Sequence, residues 1–486
     1  MNHNSCIFTG APECFIAGDG QPFHSSKSAI LDVIESPVPM NANSNHDGNH
    51  LFIADAYIVD LSVEIRSKAS KFDCAEKTYE DFVLHVLNCI ADKARKLSAK
   101  QIDLVADFYN QLSVKSATRA GRGTASRVAV ELTSKLPTDF NDRLSNSDFK
   151  RDLNDCFSSL QVLIKWKWQG DFVVTKRESI IERLNGAISQ RQLCFSGSEK
   201  TVLEESDNRM VLHVKDNILL RDNKKLVIRS SDSDVVIIMI SFMTQFIDYS
   251  DDVSVKIDFG SRPYRRFIDV NSCYDHVGES IALALPFFHA LSGCDSTTSF
   301  YRKSKVNLFN AWMNSSNYHS ITEVFQMLSW QPSQETLVRC FVVLEAYIAE
   351  VYGSKQSVDN LNLLRWKLFK ASSSNNIREL PPTTSSLHLH VLRAAFQAGW
   401  IWGNSVSQEP CPDAQTFGWK INNNVLCIQW CEQSHVQNAD KLFKLVTNTC
   451  KCSSKPSPGK CKSCSCSSGE LKLSCLNMCK CTRSCV

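Results

Sequence analysis

Seven acidic residues are spaced so that a fold could bring them to one place: Asp55, Asp107, Glu205, Asp207, Asp232, Asp234 and Asp295. Three of them follow short apolar runs that read as strands: Asp55 after Leu51 to Ala54, Asp107 after Ile102 to Ala106, and Asp232 after Lys225 to Ser231. In an open α/β sheet ligands gather beyond the carboxyl ends of the strands, so aspartates leaving several strands there can converge. Carboxylates a few ångströms apart cannot all stay ionised alone. A hard divalent cation with oxygen ligands, Mg²⁺ or Mn²⁺, supplies the compensating charge. Asp232 and Asp234 flank Ser233, and in extended backbone that spacing puts both carboxylates on one face. Glu205 and Asp207 repeat the spacing. As a pair they make sense near a helix start, where Ser206 or Asp207 could also cap. Each acid alone is equally an ordinary cap or turn residue, and only their joint arrangement points to a metal site.

These acids need a scaffold, and the surrounding sequence alternates short apolar runs with helix-like segments. The runs are Leu51-Phe-Ile-Ala, Ile102-Asp-Leu-Val-Ala and Lys225-Leu-Val-Ile-Arg; the helices include Tyr79 to Leu97 and Asn208 to Leu220. That alternation predicts an α/β fold with a mainly parallel sheet and flanking helices. Helical periodicity over Phe341 to Tyr352, Val358 to Phe369 and Ser386 to Trp400 predicts a helical extension. Residues 1–50, rich in Asn, Ser, His, Gly and Pro, read as a poorly ordered leader. The expected organisation is therefore a leader at 1–50, a catalytic-type domain at 51–320, a mostly helical extension at 321–449, and a small cysteine-rich domain at 450–486. The longest apolar stretch, Val235 to Met243, is far short of the ~20 residues that span a bilayer. No membrane span is expected.

The order Asp55, Asp107, Glu205-Ser-Asp207, Asp232-Ser-Asp234 and Gly293-Cys-Asp295 resembles the acidic pattern of flap-endonuclease or XPG-like nucleases, which have a PIN-type fold. The resemblance covers about Leu51 to Trp312. The segments Val105-Ala-Asp-Phe-Tyr, Leu203-Glu-Glu-Ser-Asp, Ser230-Ser-Asp-Ser-Asp-Val and Phe288-His-Ala-Leu-Ser-Gly-Cys-Asp are similar to a group of mobile-element-related animal proteins that often end in a cysteine-rich domain. The resemblance implies a divalent-metal-dependent, structure-sensitive DNA endonuclease. Two ions about 3.5–4 Å apart would activate water and stabilise the leaving oxygen. It places Asp55, Asp107 and Asp207 on one ion and Asp232, Asp234 and Asp295 on the other, with Glu205 acting through water. Lys115 and Arg122, seven residues apart and so on one helical face, take the family's place for basic residues that reach the scissile phosphate; the other reading is a solvated basic patch with Arg119 and Arg127. After Asp295 the family has a glycine-bearing turn that grips duplex phosphates. Here Phe300-Tyr-Arg-Lys-Ser-Lys305 has no glycine, which leaves Arg302, Lys303 and Lys305 as candidate phosphate contacts. That departure, with the glycines around Arg122, motivates an alternative: a PIN-like scaffold that binds nucleic acid or chromatin without cutting.

Nine of the 21 cysteines lie in the last 37 residues: Cys450, Cys452, Cys461, Cys464, Cys466, Cys475, Cys479, Cys481 and Cys485. Without a signal-like leader, the chain reads as intracellular rather than secreted, and dense thiols in a reducing compartment bind Zn²⁺ as thiolates. Nine ligands satisfy three tetrahedral ions if three sulfurs bridge. The spacing resembles the tesmin-type CXC domain, which implies a three-zinc cluster and DNA binding. The tail also carries Lys451, Lys455, Lys460, Lys462, Lys472, Lys480 and Arg483 against Glu470, a local +6 in a chain of net +3. Lys451, Lys462, Lys480 and Arg483 are the candidate DNA contacts there, and a nuclear location follows from a DNA partner. No protein partner can be read from the sequence. Lys165-Trp-Lys-Trp168 could stack bases, but reads better as a strand with one apolar face; His289 and Cys294 read as packed, non-catalytic residues.

Overall fold

The structure is a computed structural model of the whole chain, and it describes residues 13–17, 21–35, 52–74, 76–107, 130–177, 179–192, 203–261, 263–354, 361–371, 377–407, 409–422 and 425–430. Lys115, Arg122 and all nine tail cysteines, with Lys451, Lys462, Lys480 and Arg483, lie outside those residues. An eight-stranded mixed sheet organises the rest. Its strands are β1 (Ala56–Asp60), β2 (Gln101–Val105), β3 (Asp171–Lys176), β4 (Ser179–Leu184), β5 (Ala187–Gln192), β6 (Lys225–Ser230), β7 (Ser254–Phe259) and β8 (Arg266–Asp269), in the order β5-β4-β3-β2-β1-β6-β7-β8. The five central strands β3, β2, β1, β6 and β7 are parallel, and the edges close with antiparallel β4, β5 and β8. This is the mainly parallel α/β sheet that the alternation predicts.

The strand order reverses between β1 and β6. Successive strands step one way from β1 to β2 and β3, then the chain returns to lay β6 and β7 on the other side. The crevice outside the carboxyl ends of such neighbours is where open α/β sheets bind ligands. β1 is buried along its whole length. Ala56 and Ile58 face one core with Leu226 and Ile228, while Tyr57 and Val59 face a second core with Ile102 and Leu104. Covered on both faces, β1 has near-continuous hydrophobic character rather than polar alternation.

Helices cover both faces. On one side α1 (Leu61–Ala69), α2 (Tyr79–Lys96) and α3 (Ser147–Phe157) bury Phe82, Phe140 and Phe149 among others. Trp166 and Trp168 join this core as buried, stacked indoles in the link to β3. They belong to no strand, and their burial removes them as a base-stacking platform. The other face carries α4 (Ser206–Arg221) and α5 (Ser233–Tyr249), whose run Val-Val-Ile-Ile-Met-Ile is apolar all round because it is buried all round. Under α4 a polar network replaces apolar packing: Asp103 Oδ2 takes Asn217 Nδ2 at 2.9 Å and lies 2.9 Å from His213 Nδ1, all fully buried. Buried polar groups that satisfy one another fix an orientation that greasy packing leaves loose. The network sets how α4 crosses β2.

Beyond β8 the chain is helical: α6 (Val270–Val277), α7 (Glu279–Leu291), α8 (Lys305–Met313), α9 (Tyr318–Ser329), α10 (Gln334–Val351), α11 (Leu361–Ala371) and α12 (Thr384–Ala395), then a π-helical stretch Phe396–Trp402 and a small hairpin, β9 (Trp419–Asn422) and β10 (Val425–Ile428). Pro286 inside α7 clashes with the helical ladder, and neighbouring side chains take the displaced bonds. Phe287 N donates to Ser329 Oγ at 3.0 Å, and the Trp330 indole donates to the Leu283 carbonyl at 3.2 Å. The helices on both sides of residue 320 share one hydrophobic core with α5 and α7.

Part of the expected leader is built into the fold. Cys14, Phe15, Ile30, Leu31 and Ile34 are buried, with Phe15 against Phe300 and His390. Ile30, Leu31 and Ile34 belong to the short apolar run Ala29-Ile-Leu-Asp-Val-Ile34, whose one helical turn is too brief to stand out from the polar stretch around it. No helix among the described residues is long and apolar enough to cross a membrane.

Candidate metal centre

Four backbone devices bring carboxylates to the crevice beyond β1 and β6. Asp60 ends β1 and caps α1, accepting from the backbone N–H groups of Ser62 at 3.0 Å and Val63 at 3.4 Å. Asp107 leaves β2 and accepts the Ser206 N–H at 2.9 Å in the first turn of α4, the helix that Glu205 precedes and Asp207 opens. Asp232 leaves β6 and caps α5 through the Asp234 N–H at 2.9 Å. Asp295 comes from the turn after α7. Three helix N-termini therefore face the acids, and their dipoles favour negative charge there. Capping and site-building are one arrangement in these residues.

Oxygens of Asp207, Asp232 and Asp234 lie within 4.8 Å of one another. That spacing and an all-oxygen donor set fit a divalent cation such as Mg²⁺ or Mn²⁺. Asp207 and Asp234 are buried and Asp232 is partly exposed, so a bound ion would have protein on one side and an open approach on the other. Asp234 is further held by His289, whose Nε2 is 3.0 Å from its Oδ1. Burial drives the His289 pKa well below its usual value, which favours a neutral ring that donates from Nε2 to the carboxylate. A donor placed behind a metal-binding carboxylate fixes its orientation. His289 is thus a positioning residue, a role its place in an apolar helix conceals.

Asp55 stands elsewhere. It precedes β1 instead of following it, and its Oδ2 accepts the backbone N–H groups of Lys224 at 3.0 Å and Lys225 at 2.8 Å at the start of β6. Five residues of strand put it about 16 Å from Asp60, at the opposite end of the sheet. Residues 52–54 of the apolar run are not a strand; the strand is Ala56–Asp60, and Asp60 occupies the position expected of Asp55. The other six acids, Asp107, Glu205, Asp207, Asp232, Asp234 and Asp295, stand at the carboxyl-end crevice or on the helix starts that border it.

Burial and the nearby charges of Asp107 and Asp232 raise the Asp60 pKa from 3.8 to about 7. Burial and Asp234 also raise that of Asp232, against the lowering influence of Lys27. Without a divalent ion the folded chain accordingly holds extra protons between about pH 4 and 7 that the unfolded chain has released. Taken by themselves these two carboxylates destabilise the metal-free fold as pH rises through that window, while the buried His289 and His390, whose pKa values burial lowers, act in the opposite sense. Asp60→Asn removes the Asp60 share, so its denaturation midpoint relative to wild type should rise from pH 5 to pH 8 and exceed that of wild type at pH 8 when Mg²⁺ and Mn²⁺ are absent. Urea melts of both proteins at pH 5 and pH 8 check this, and a mutant less stable than wild type at pH 8 would contradict it.

The basic residues after Asp295 differ in how far the fold engages them. Lys305 is buried, donating 2.7 Å bonds to the His289 carbonyl and to Ser292 Oγ, and burial lowers its pKa to about 7. It cannot reach a duplex. Lys303 donates to the Val351 carbonyl at 3.1 Å, and Arg302 pairs with Glu379 at 2.6 Å on the surface. The turn is also tightly packed. Gly293, at φ +111°, brings the Asp295 loop so close to Ser299 that a Cβ would sit 2.1 Å from Ser299 Oγ. Gly293→Ala should therefore cost about 2 kcal/mol or more. A thermal melt within a degree of wild type would contradict this.

The π-helical stretch lies behind three of the acid-bearing segments. Gln397 accepts from Ser296 Oγ at 2.7 Å, Asn208 Nδ2 donates to the Ile401 carbonyl at 2.7 Å, and the Trp402 ring lies 5.8 Å from His289. Single π turns within helices are frequent at functional sites. Here the irregular turn braces the neighbours of Asp295, Asp207 and Asp234 together.

The sequence matches no protein-family model and no curated protein. Among solved structures the chain is similar to the T5 D15 protein co-crystallised with metal ions, at 11% identity over 74% of this chain and 95% of that one, with a TM-score of 0.36. So loose a likeness transfers neither activity nor site residues.

Proposed function

We propose that this chain is a divalent-metal-dependent phosphodiesterase acting on nucleic acid, with DNA as the substrate, in the manner of the flap-endonuclease or XPG-like nucleases whose acidic pattern it resembles. The observation that carries the reading is the convergence of Asp60, Asp107, Asp207, Asp232 and Asp234 at the switch point between β1 and β6. A bound Mg²⁺ or Mn²⁺ would lower the pKa of a coordinated water and polarise the phosphoryl oxygen. Asp207, Asp232 and Asp234 hold that charge. Asp60 and Asp107 border the same pocket, where a carboxyl that titrates near neutral pH can, in its ionised form, take up a proton from an attacking water. His289 keeps Asp234 oriented, and α1, α4 and α5 fix the ligands before substrate arrives. Lys115 and Arg122 are the proposed contacts to the scissile phosphate. The proposed role of Cys450 to Cys485 is a three-zinc cluster of the tesmin type that delivers the site to DNA in the nucleus.

Incubation of the full chain with labelled flap, duplex and single-stranded DNA, and with matched RNA, tests the reading. Cleavage of DNA that requires added Mg²⁺ or Mn²⁺ is expected. One observation favours the non-cutting scaffold instead: a lysine already sits among the carboxylates. Tight, metal-independent DNA binding with no cleavage of any substrate would establish that alternative.

A further inference from the structure

The chain brings a cation of its own to the acid cluster. Lys27 opens a 3-10 turn, Lys27–Ile30, that runs directly into a helical turn, Leu31–Ile34. Its Nζ lies 2.8 Å from Asp232 Oδ1, 2.9 Å from Asp295 Oδ1 and 3.4 Å from Asp234 Oδ1. Three carboxylates around one ammonium, about a quarter exposed, make a charge-assisted contact stronger than an ordinary surface pair.

The segment is anchored on both sides of the lysine. Upstream, Ser299 N donates to the Phe23 carbonyl at 2.8 Å, while Ser25 N and Ser25 Oγ reach Ser299 Oγ at 3.0 Å and 2.9 Å. Downstream, Ile30, Leu31 and Ile34 enter the main core, and Glu35 pairs with Arg266. Ser299 is in the same turn as Asp295, so the lysine and one of its partners share a mounting. Lys27 is held here by the fold and is no wandering surface side chain.

This occupancy limits what else the carboxylates can hold. A Mg²⁺ ion binds oxygen at about 2.0–2.1 Å, so an ion bridging Asp232 and Asp295 would need the volume that the ammonium fills. The ammonium sits between Asp232 and Asp295, which leaves the Asp207 side of the cluster for an ion.

We propose that Lys27 takes the place of one of the two divalent ions that this set of acids could otherwise hold. With the N-terminal segment docked, the site binds a single Mg²⁺ or Mn²⁺ on Asp207, Asp232 and Asp234, and Lys27 is the fixed second positive charge. The placement of that charge beside a phosphate rests on the hydrolytic function proposed above; the metal count does not.

Mn²⁺ titration of the zinc-loaded full chain, followed by calorimetry and by electron paramagnetic resonance, tests it, with Asp207→Asn as the blank for binding outside the site. The wild type is expected to bind one Mn²⁺ with an uncoupled spectrum. Lys27→Met should bind two and show a spin-coupled Mn²⁺ pair, while Lys27→Arg, which keeps the charge, should stay at one. A coupled pair in the wild type, or an unchanged single ion in a folded Lys27→Met protein, would overturn the proposal. A measurement on the wild type alone guards against a misfolded variant: acylation of Lys27 by an activated ester, followed by mass spectrometry, should stay low on saturation with Mn²⁺. A rise to the level of exposed lysines would mean that metal evicts the ammonium, and would also overturn it. If the metal count shifts from one to two yet no variant cleaves nucleic acid, the hydrolytic reading fails and Lys27 keeps its role. Cleavage by a wild-type enzyme holding a coupled pair would do the reverse, upholding hydrolysis and removing Lys27 from the metal count.

Discussion

Asp232→Asn is expected to reduce metal-dependent cleavage by about a thousand-fold or more, with the fold intact. The side chain both approaches Asp207 and Asp234 closely enough to share an ion and caps α5. Asparagine keeps an oxygen for the Asp234 N–H, so the helix start survives, whereas alanine would add a capping loss of about 1 kcal/mol that confuses the result. What asparagine removes is charge. Metal stabilisation of the transition state is worth several kcal/mol, and each ~1.4 kcal/mol is tenfold in rate. Single-turnover cleavage at saturating Mn²⁺, with a urea melt of the same preparation, measures both quantities. A mutant within tenfold of wild type would remove Asp232 from the mechanism.

The second large effect separates two aspartates five residues apart. Asp60→Asn should reduce cleavage by about a hundred-fold or more, while Asp55→Asn should leave the rate within a few-fold of wild type and lower stability instead. Asp60 is buried beside Asp107 and Asp232 at the carboxyl end of β1; Asp55 ties together backbone N–H groups at the other end of the sheet. Asparagine keeps an oxygen for the two backbone donors but loses the charge that strengthens those bonds, which for the partly exposed Asp55 costs about 1 kcal/mol and appears in the melt and not in the rate. The reverse pattern, with activity lost at Asp55 and kept at Asp60, would mean that the functional crevice is at the amino ends of the strands.

That pair also shows where sequence reading reaches its limit. The mixed α/β layers and the helices Tyr79–Lys96 and Ser206–Arg221 follow from periodicity and capping residues, whereas the segment from Asp232 to Asp234, read as extended backbone, caps and opens the helix Ser233–Tyr249. The position of β1 does not follow from local pattern. Leu51 to Ala54 and Tyr57 to Val59 are both short apolar runs beside an aspartate, and only pairing with β2 and β6 on either side selects the second. Lys27 is invisible for a related reason: its partners are more than two hundred residues away, and its own segment has the composition of a leader. Lys305 misleads in the other direction. Arg302, Lys303 and Lys305 read as candidate phosphate contacts, yet Lys305 lies under α7, where the His289 carbonyl and Ser292 accept its hydrogen bonds. His289 likewise reads as a packed helical residue until Asp234 is placed against its ring. Local pattern reports element type; charge partners separated by long stretches of chain require the tertiary fold.

The most direct test of the central claim is metal rescue of cleavage by the full chain, comparing wild type, Asp55→Asn and Asp232→Asn on a labelled flap substrate with Mn²⁺ withheld and then restored. Carboxylates gathered at the β1–β6 switch point predict cutting by wild type and Asp55→Asn only when Mn²⁺ is present, and none by Asp232→Asn. Cleavage that persists without added metal, or that Asp232→Asn retains, would contradict a metal-dependent centre at this crevice.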